Sequence, residues 1–145
     1  MAVEIRAEPF DPWAELQRYQ AQTFQQGGSY GATAVFVGTM RHFNEGGTVR
    51  AMTLDHYPGM TERHLERISA VARQRWDILD TLIIHRVGRL LPDDPIVLAA
   101  VWSARRGAAL DACGFLIEDL KSRAPFWKKE ELETGSRWVE HNTDR

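Results

Sequence analysis

Apolar positions along the chain change their period several times, and each change marks an element. Ala14 to Phe24 follows Asp11-Pro12-Trp13, a helix-start signature, and Gly27-Gly28 stops it. Gly31 to Thr39 (GATAVFVGT) is a short apolar run rich in β-branched residues, which predicts a buried strand. A polar turn, Arg41 to Gly47 (RHFNEGG), separates it from Thr48 to Tyr57, where alternation puts Met52 and Leu54 on one strand face. Pro58-Gly59 breaks that strand, and Thr61 is placed to cap a helix running to Trp76. Its apolar positions, Leu65, Ile68, Ala72 and Trp76, recur at helical spacing, with arginines and glutamates opposite.

Thr81 to Val87 and Ile96 to Ala104 read as two further strands, separated by the turn residues Pro92-Asp93-Asp94-Pro95. Ala108 to Ser122 is a second amphipathic helix, with Ala109, Ala112, Cys113, Leu116 and Leu120 inward and Pro125 at or beyond its end. Trp127 and the Arg137 to Glu140 segment read as short edge strands or ordered loop. Hairpin-like pairs interspersed with helices indicate an α+β fold with a mostly antiparallel sheet. The 145 residues fit one domain, 1–145, with no internal repeat and no linker.

Composition narrows the function more than it directs it. Net charge is -2, so no global basic field exists to attract nucleic acid or a membrane surface. No stretch approaches the ~20 apolar residues that span a bilayer, and Met1 to Phe10 carries Glu4, Arg6 and Glu8 in place of a signal-peptide core. One cysteine, Cys113, excludes an internal disulfide, and a cytoplasmic location is the expectation. The five histidines, His42, His56, His64, His85 and His141, have no helical i, i+4 partner, so no metal site is expected. There is no phosphate loop, dinucleotide fingerprint or serine elbow.

The basic residues carry the informative pattern. Fifteen of the 18 are arginines, and the three lysines, Lys121, Lys128 and Lys129, fall within nine positions. Arginine serves wherever a fixed charge is needed, whereas an amine can lose its proton on burial and exchange it with a substrate. The clustering therefore marks a segment that needs an amine, or else three lysines gathered on a solvated face. Arg41 follows a buried strand, and Arg105-Arg106 follow another immediately before a helix start, where backbone N–H groups suit an anion. If those strand ends lie side by side, the arginines would rim a pocket facing the lysines; otherwise Arg105 and Arg106 are exposed charges paired with Asp111 or Glu118. Cys113 reads as a buried small hydrophobe. His56 and His85 read as core or interface histidines. Phe126 and Trp127 could stack on a flat heterocycle, although aromatics beside a proline usually pack.

These stretches together resemble the large, catalytic subunit of molybdopterin synthase. The resemblance rests on Val35 to Arg41 (VFVGTMR), Asp55 to Glu62 (DHYPGMTE), Ile84 to Gly88 (IHRVG), Leu120 to Glu130 (LKSRAPFWKKE) and Arg137 to Glu140 (RWVE). They stand in family order from Gly31 onward, while the first thirty residues contribute little. The resemblance implies an α/β hammerhead with an additional, mostly antiparallel sheet. It also implies sulfur transfer to cyclic pyranopterin monophosphate, forming the molybdopterin dithiolene. The sulfur would come from the C-terminal thiocarboxylate of a small ubiquitin-like subunit, with no other cofactor, in a heterotetramer built on a homodimer of large subunits. Residue by residue, Lys121 and Lys128 match the family's active-site lysines, and Arg41 matches the arginine closing its motif at the substrate pocket. Thr39, Met40, Lys129 and Glu130 accompany them, and Arg106 matches a further substrate-binding position.

Arg105 departs from the pattern, because the family usually has histidine there. Arginine holds its proton too tightly to donate it, so position 105 is expected to bind an anion. Pro92-Asp93-Asp94 also departs, where glycine more often precedes the aspartate; this reads as turn variation without chemical consequence. Two rivals stand beside the enzyme. One is a homologue that docks a ubiquitin-like tail without turnover. The other is a phosphate-binding enzyme of unrelated chemistry, which would leave the long motif matches unexplained.

Overall fold

The computed structural model describes residues 1–44, 47–133 and 135–139. Its elements in chain order are β1 (Ala2–Arg6), α1 (Pro12–Thr23), β2 (Ala32–Thr39), β3 (Phe43–Asn44), β4 (Gly47–His56) and α2 (Met60–Arg75). After these come β5 (Asp80–Arg86), β6 (Gly88–Leu90), β7 (Pro95–Ser103), α3 (Arg106–Ser122), β8 (Phe126–Leu132) and β9 (Gly135–Val139). Among the described residues they form two sheets and three helices. Glu45, Gly46 and Glu140, within segments expected to be turn or strand, and His141 lie outside the described residues.

The first sheet runs β1-β5-β7-β2, with β1 parallel to β5 and the other pairs antiparallel. Every position of β5 is buried, and so is every position of β7 after Pro95, because helices cover both faces. On one face Leu82, Ile84, Leu98, Ala100 and Trp102 pack against Leu16, Tyr19 and Phe24 of α1 and its end. On the other, Ile83, Val97 and Val101 meet Leu65, Ile68 and Ala72 of α2 and Ala109, Ala112 and Leu116 of α3. The second sheet runs β3-β4-β8-β9, with β6 on the free side of β4. A register shift between Val49 and Ala51 lets Val49 share the core with Met52 and Leu54.

Local chemistry explains the boundaries. The Asp11 carboxylate accepts from the N–H groups of Trp13 (3.0 Å) and Ala14 (3.3 Å), with Pro12 in the first turn of α1. The cap of α2 is Gly59, whose φ of 84° suits glycine and whose N–H donates to Glu62 Oε1 at 3.1 Å. Thr61, expected as that cap, instead accepts from Tyr57 N–H (3.1 Å) and donates to the Pro125 carbonyl (3.1 Å). It thereby ties α2 to the start of β8. Trp127 lies in β8, which is an interior strand between β4 and β9, and of these two C-terminal segments β9 alone is an edge.

Candidate active site

Antiparallel pairing decides which basic residues meet. Ala32 of β2 faces Ser103 of β7, and Thr39 faces Pro95. Arg41, just beyond one end of β2, and Arg105, just beyond the opposite end of β7, are therefore separated by about the length of the pair, on the order of 25 Å. The expectation that these strand ends lie side by side is corrected: within one chain they cannot rim a common pocket. Arg105 and Arg106 are exposed and border a separate shallow depression with Gly31, Ala104, Gly107 and Ala108. There the Arg105 N–H donates to Ser103 Oγ at 3.2 Å, at the start of α3.

A cleft of about 190 Å³ opens where the end of β2, the last turn of α3 and one face of the second sheet converge. Its lining includes Thr39, Met40 and Arg41 after β2, Lys121 from α3, and Lys128 and Glu130 from β8. Strand alternation separates the lysine pair of the sequence. Lys128 and Glu130 project to the cleft, whereas Lys129 projects to the other face. There its ammonium lies 5.6 Å from the Trp138 ring centroid, near Arg50, Arg89 and Glu131. Lys129 is thus set apart from the cleft. Phe36, Gly38, Met52, Ile96 and Val139 also line it and were not singled out beforehand. Their signal was alternation: Phe36 and Gly38 share one face of β2, opposite Val35 and Val37. A methyl group at Gly38 would lie 3.0 Å from Val97 Cγ1 and 3.2 Å from Phe36 Cε1, so glycine keeps the floor open.

Arg41 is presented from a fixed backbone. Met40 N–H donates to the Asp94 carbonyl (2.9 Å), and Asp93 N–H donates to the Met40 carbonyl (2.7 Å). The partner loop is itself a turn, closed by Asp94 N–H to Leu91 O at 3.0 Å and by Leu91 N–H to the Asp94 carboxylate at 2.8 Å. Pro92 precedes Asp93, whose φ is 75°, the pattern of a type II turn that favours glycine at its third position. The Pro92-Asp93-Asp94 variation therefore touches the site's backbone, contrary to its reading as inconsequential.

The electrostatics of the amines are set by burial. Lys121 is lowered from 10.5 to about 8, first by desolvation and then by Lys128. Lys128 is also lowered: burial dominates, Glu130 opposes it, and Arg41 adds to it. Neither amine makes an ion pair or hydrogen bond to another described residue. Glu130 is 4% exposed and accepts from Arg137 Nε at 2.9 Å. Two amines of opposite element and like charge thus share a cleft with a guanidinium, an arrangement suited to a polyanion whose protons must move.

The aromatic and thiol candidates have structural work. Phe126 stacks on His85, with ring centroids 3.9 Å apart, and Trp127 meets Tyr57 edge-on at 4.6 Å. His85 Nδ1 lies 2.7 Å from the Arg86 carbonyl, and burial pushes the ring down to about 3, so it stays neutral. Burial raises the Cys113 thiol to about 11, and its Sγ lies 3.8 Å from the Ala99 carbonyl.

The family described as MoaE protein matches residues 5–123. The molybdopterin synthase catalytic subunit of Pseudomonas aeruginosa is 50% identical over 140 residues, spanning 97% of this chain and 91% of its own. Among solved structures, the molybdopterin biosynthesis MoaE protein from Burkholderia ambifaria superposes with a TM-score of 0.81 at 45% identity. That match covers 100% of this chain and 93% of that one. Molybdopterin synthase from Staphylococcus aureus gives 0.83 at 34% identity, covering 95% and 96%. The α+β arrangement of two sheets and three helices is the fold of these structures.

Proposed function

The chain belongs to the MoaE family of molybdopterin synthase catalytic subunits, sulfur-transferring enzymes of molybdenum cofactor biosynthesis, and we propose that the Lys121–Lys128 cleft is its reaction site. The observation that carries this reading is the pair of amines, drawn from α3 and β8, that face one cleft and make no ion pair or hydrogen bond to another described residue, although Glu130 lines the same cleft. The substrate is cyclic pyranopterin monophosphate, and the sulfur donor is the thiocarboxylated C-terminus of a small ubiquitin-like subunit. No further cofactor is required.

Sulfur attack must be accompanied by opening of the cyclic phosphate and departure of oxygen, so the site has to supply protons and fixed positive charge. Lys121, with its midpoint near 8, exchanges protons at neutral pH, and Lys128 beside it holds and protonates the departing oxygens. Arg41 holds the phosphate as a permanent cation. Thr39, Met40 and Glu130 shape the substrate's seat. Arg105 and Arg106 bind the substrate or the incoming tail from a second copy of the chain, within a homodimer that carries a small subunit at each end. Among the described residues no helix is long and apolar enough to cross a membrane, and a single buried thiol fits work in the cytoplasm.

Single-turnover conversion with thiocarboxylated small subunit tests the site. Wild type forms product, while Lys121→Ala and Lys128→Ala lose at least about 100-fold in rate. Tail binding without product from wild type would favour the docking homologue. Mixing Lys121→Ala with an Arg105→Ala/Arg106→Ala double variant tests the second-copy role. Recovered activity supports shared sites, and no recovery assigns the two arginines elsewhere.

A further inference from the structure

Lys128 and Glu130 lie two residues apart on the same face of β8, about 7 Å between Cα atoms. A buried carboxylate at that separation from a long, flexible ammonium should close on it, since opposite charges attract most strongly away from water. It does not. Glu130 is held from the adjacent strand: Glu130 and Arg137 are register partners across β8 and β9, and Arg137 Nε meets Glu130 Oε1 at 2.9 Å. Met52 flanks Glu130 on the opposite side, in register on β4.

We propose that Arg137 is a positioning residue for the cleft: by engaging Glu130 it keeps that carboxylate off Lys128 and leaves the Lys128 amine open to substrate. The consequence for turnover rests on the role proposed above for Lys128; the positioning itself does not. A guanidinium suits the task because its planar fork fixes the direction of a carboxylate as well as neutralising it. Charged and titratable groups around Lys128 come from every neighbouring element. They are Glu130 on its own strand, Arg41 after β2, Lys121 on α3, Arg137 on β9, His56 on β4 and the neutral His85 on β5. Of these only Glu130 is anionic, so its direction governs whether the amine is captured.

With only Lys121, Lys128 and Lys129 in the chain, isotope-labelled lysine gives three side-chain resonances whose titrations can be followed in the intact protein. In Arg137→Gln the Lys128 midpoint should rise by about one pH unit as Glu130 swings onto the amine. In Arg137→Gln/Glu130→Gln the rise should vanish, and Lys129, on the other face, should not move in either. An unchanged Lys128 midpoint in Arg137→Gln would overturn the proposal. So would an equal rise in the double variant, which would show that the carboxylate is not the agent. Should Arg137→Gln fail to fold, Glu130→Gln alone decides: loss of a carboxylate held away should lower the Lys128 midpoint only slightly, and a fall of about one pH unit or more would show that Glu130 already engages the amine and refute restraint. In single turnover Arg137→Gln should weaken substrate binding at least threefold. A shifted amine with unchanged turnover would leave the positioning standing and remove the substrate role of Lys128.

Discussion

Replacing Lys121 by methionine should stabilise the protein while abolishing its chemistry. Methionine keeps a linear side chain of similar reach in the half-buried site but removes the ammonium. The folded midpoint of Lys121 is about 8 against 10.5 for a free side chain. At about 1.36 kcal/mol per pH unit, that depression corresponds to roughly 3.4 kcal/mol of destabilisation at neutral pH. Water at the open side of the cleft relaxes part of it, so a gain of about 1–3 kcal/mol is expected. The sign follows from proton counting. Between the folded and unfolded midpoints the unfolded chain holds a proton that the folded protein lacks, so wild-type stability rises with pH across that window. Below it both forms are charged, the full cost is present, and methionine has its largest advantage. Above it neither is charged, and the advantage disappears. Urea unfolding near pH 7 and again near pH 10 measures this directly. A variant less stable than wild type at the lower pH, or equally improved at both, would refute the argument that burial of this charge is the cause.

The remaining predictions separate neighbours that look alike in sequence. Lys129→Ala, on the outer face, should change single-turnover rate less than about threefold, against about 100-fold or more for Lys128→Ala, one residue away in sequence and on the opposite face of β8. Comparable losses would mean that β8 does not present alternate residues to the site. Asp93→Gly should raise stability by about 0.5–1 kcal/mol, because glycine takes φ 75° without strain; thermal unfolding reads it, and a loss would show that the aspartate side chain contributes there. Gly38→Ala should cost about 1–3 kcal/mol and raise KM, since its methyl would press on Val97 and Phe36 at the cleft floor. Unchanged KM would place substrate elsewhere.

Much of the layer structure was legible because burial on two faces and burial on one face leave different patterns. Thr81 to Val87 and Ile96 to Ala104 read as strands, and both are interior strands under helices. β1 escaped notice because Ala-Val-Glu-Ile-Arg is partly polar and its partner lies some eighty residues away, so nothing local reports the parallel pairing. β8 was under-read for another reason. Its Lys-Lys-Glu-Glu run has the composition of a solvated edge, yet it lies between two strands, with Lys128 and Glu130 directed inward. The lysine distribution nonetheless pointed to the segment from which Lys121 and Lys128 enter the cleft, since an amine can lower its midpoint on burial and a guanidinium cannot. What composition could not convey was direction. The faces that separate Lys128 from Lys129, and the strand ends that separate Arg41 from Arg105, are consequences of pairing register.

That separation changes the meaning of the departure at position 105. In sequence, arginine in place of the usual histidine looked like a question of proton donation against anion binding. In the fold, Arg105 is exposed at the far end of β7, its N–H donating to Ser103 Oγ and its carbonyl accepting from Ala109 N–H. Neither role can be exercised on the cleft of the same chain, because about 25 Å of paired strand intervenes. To act on a cleft, either role would need a second copy of the chain, and the choice between them is secondary to whether two copies meet there. An exposed guanidinium has an advantage in that setting. It carries its charge at every working pH and reaches further than an imidazole, so it can meet an anionic group across an interface without being buried first. The cleft's own amines, by contrast, are half-buried, and that burial makes them hold their protons more loosely. Arg41 thus brings a fixed charge to the cleft, while Lys121 and Lys128 bring amines whose protons burial has loosened.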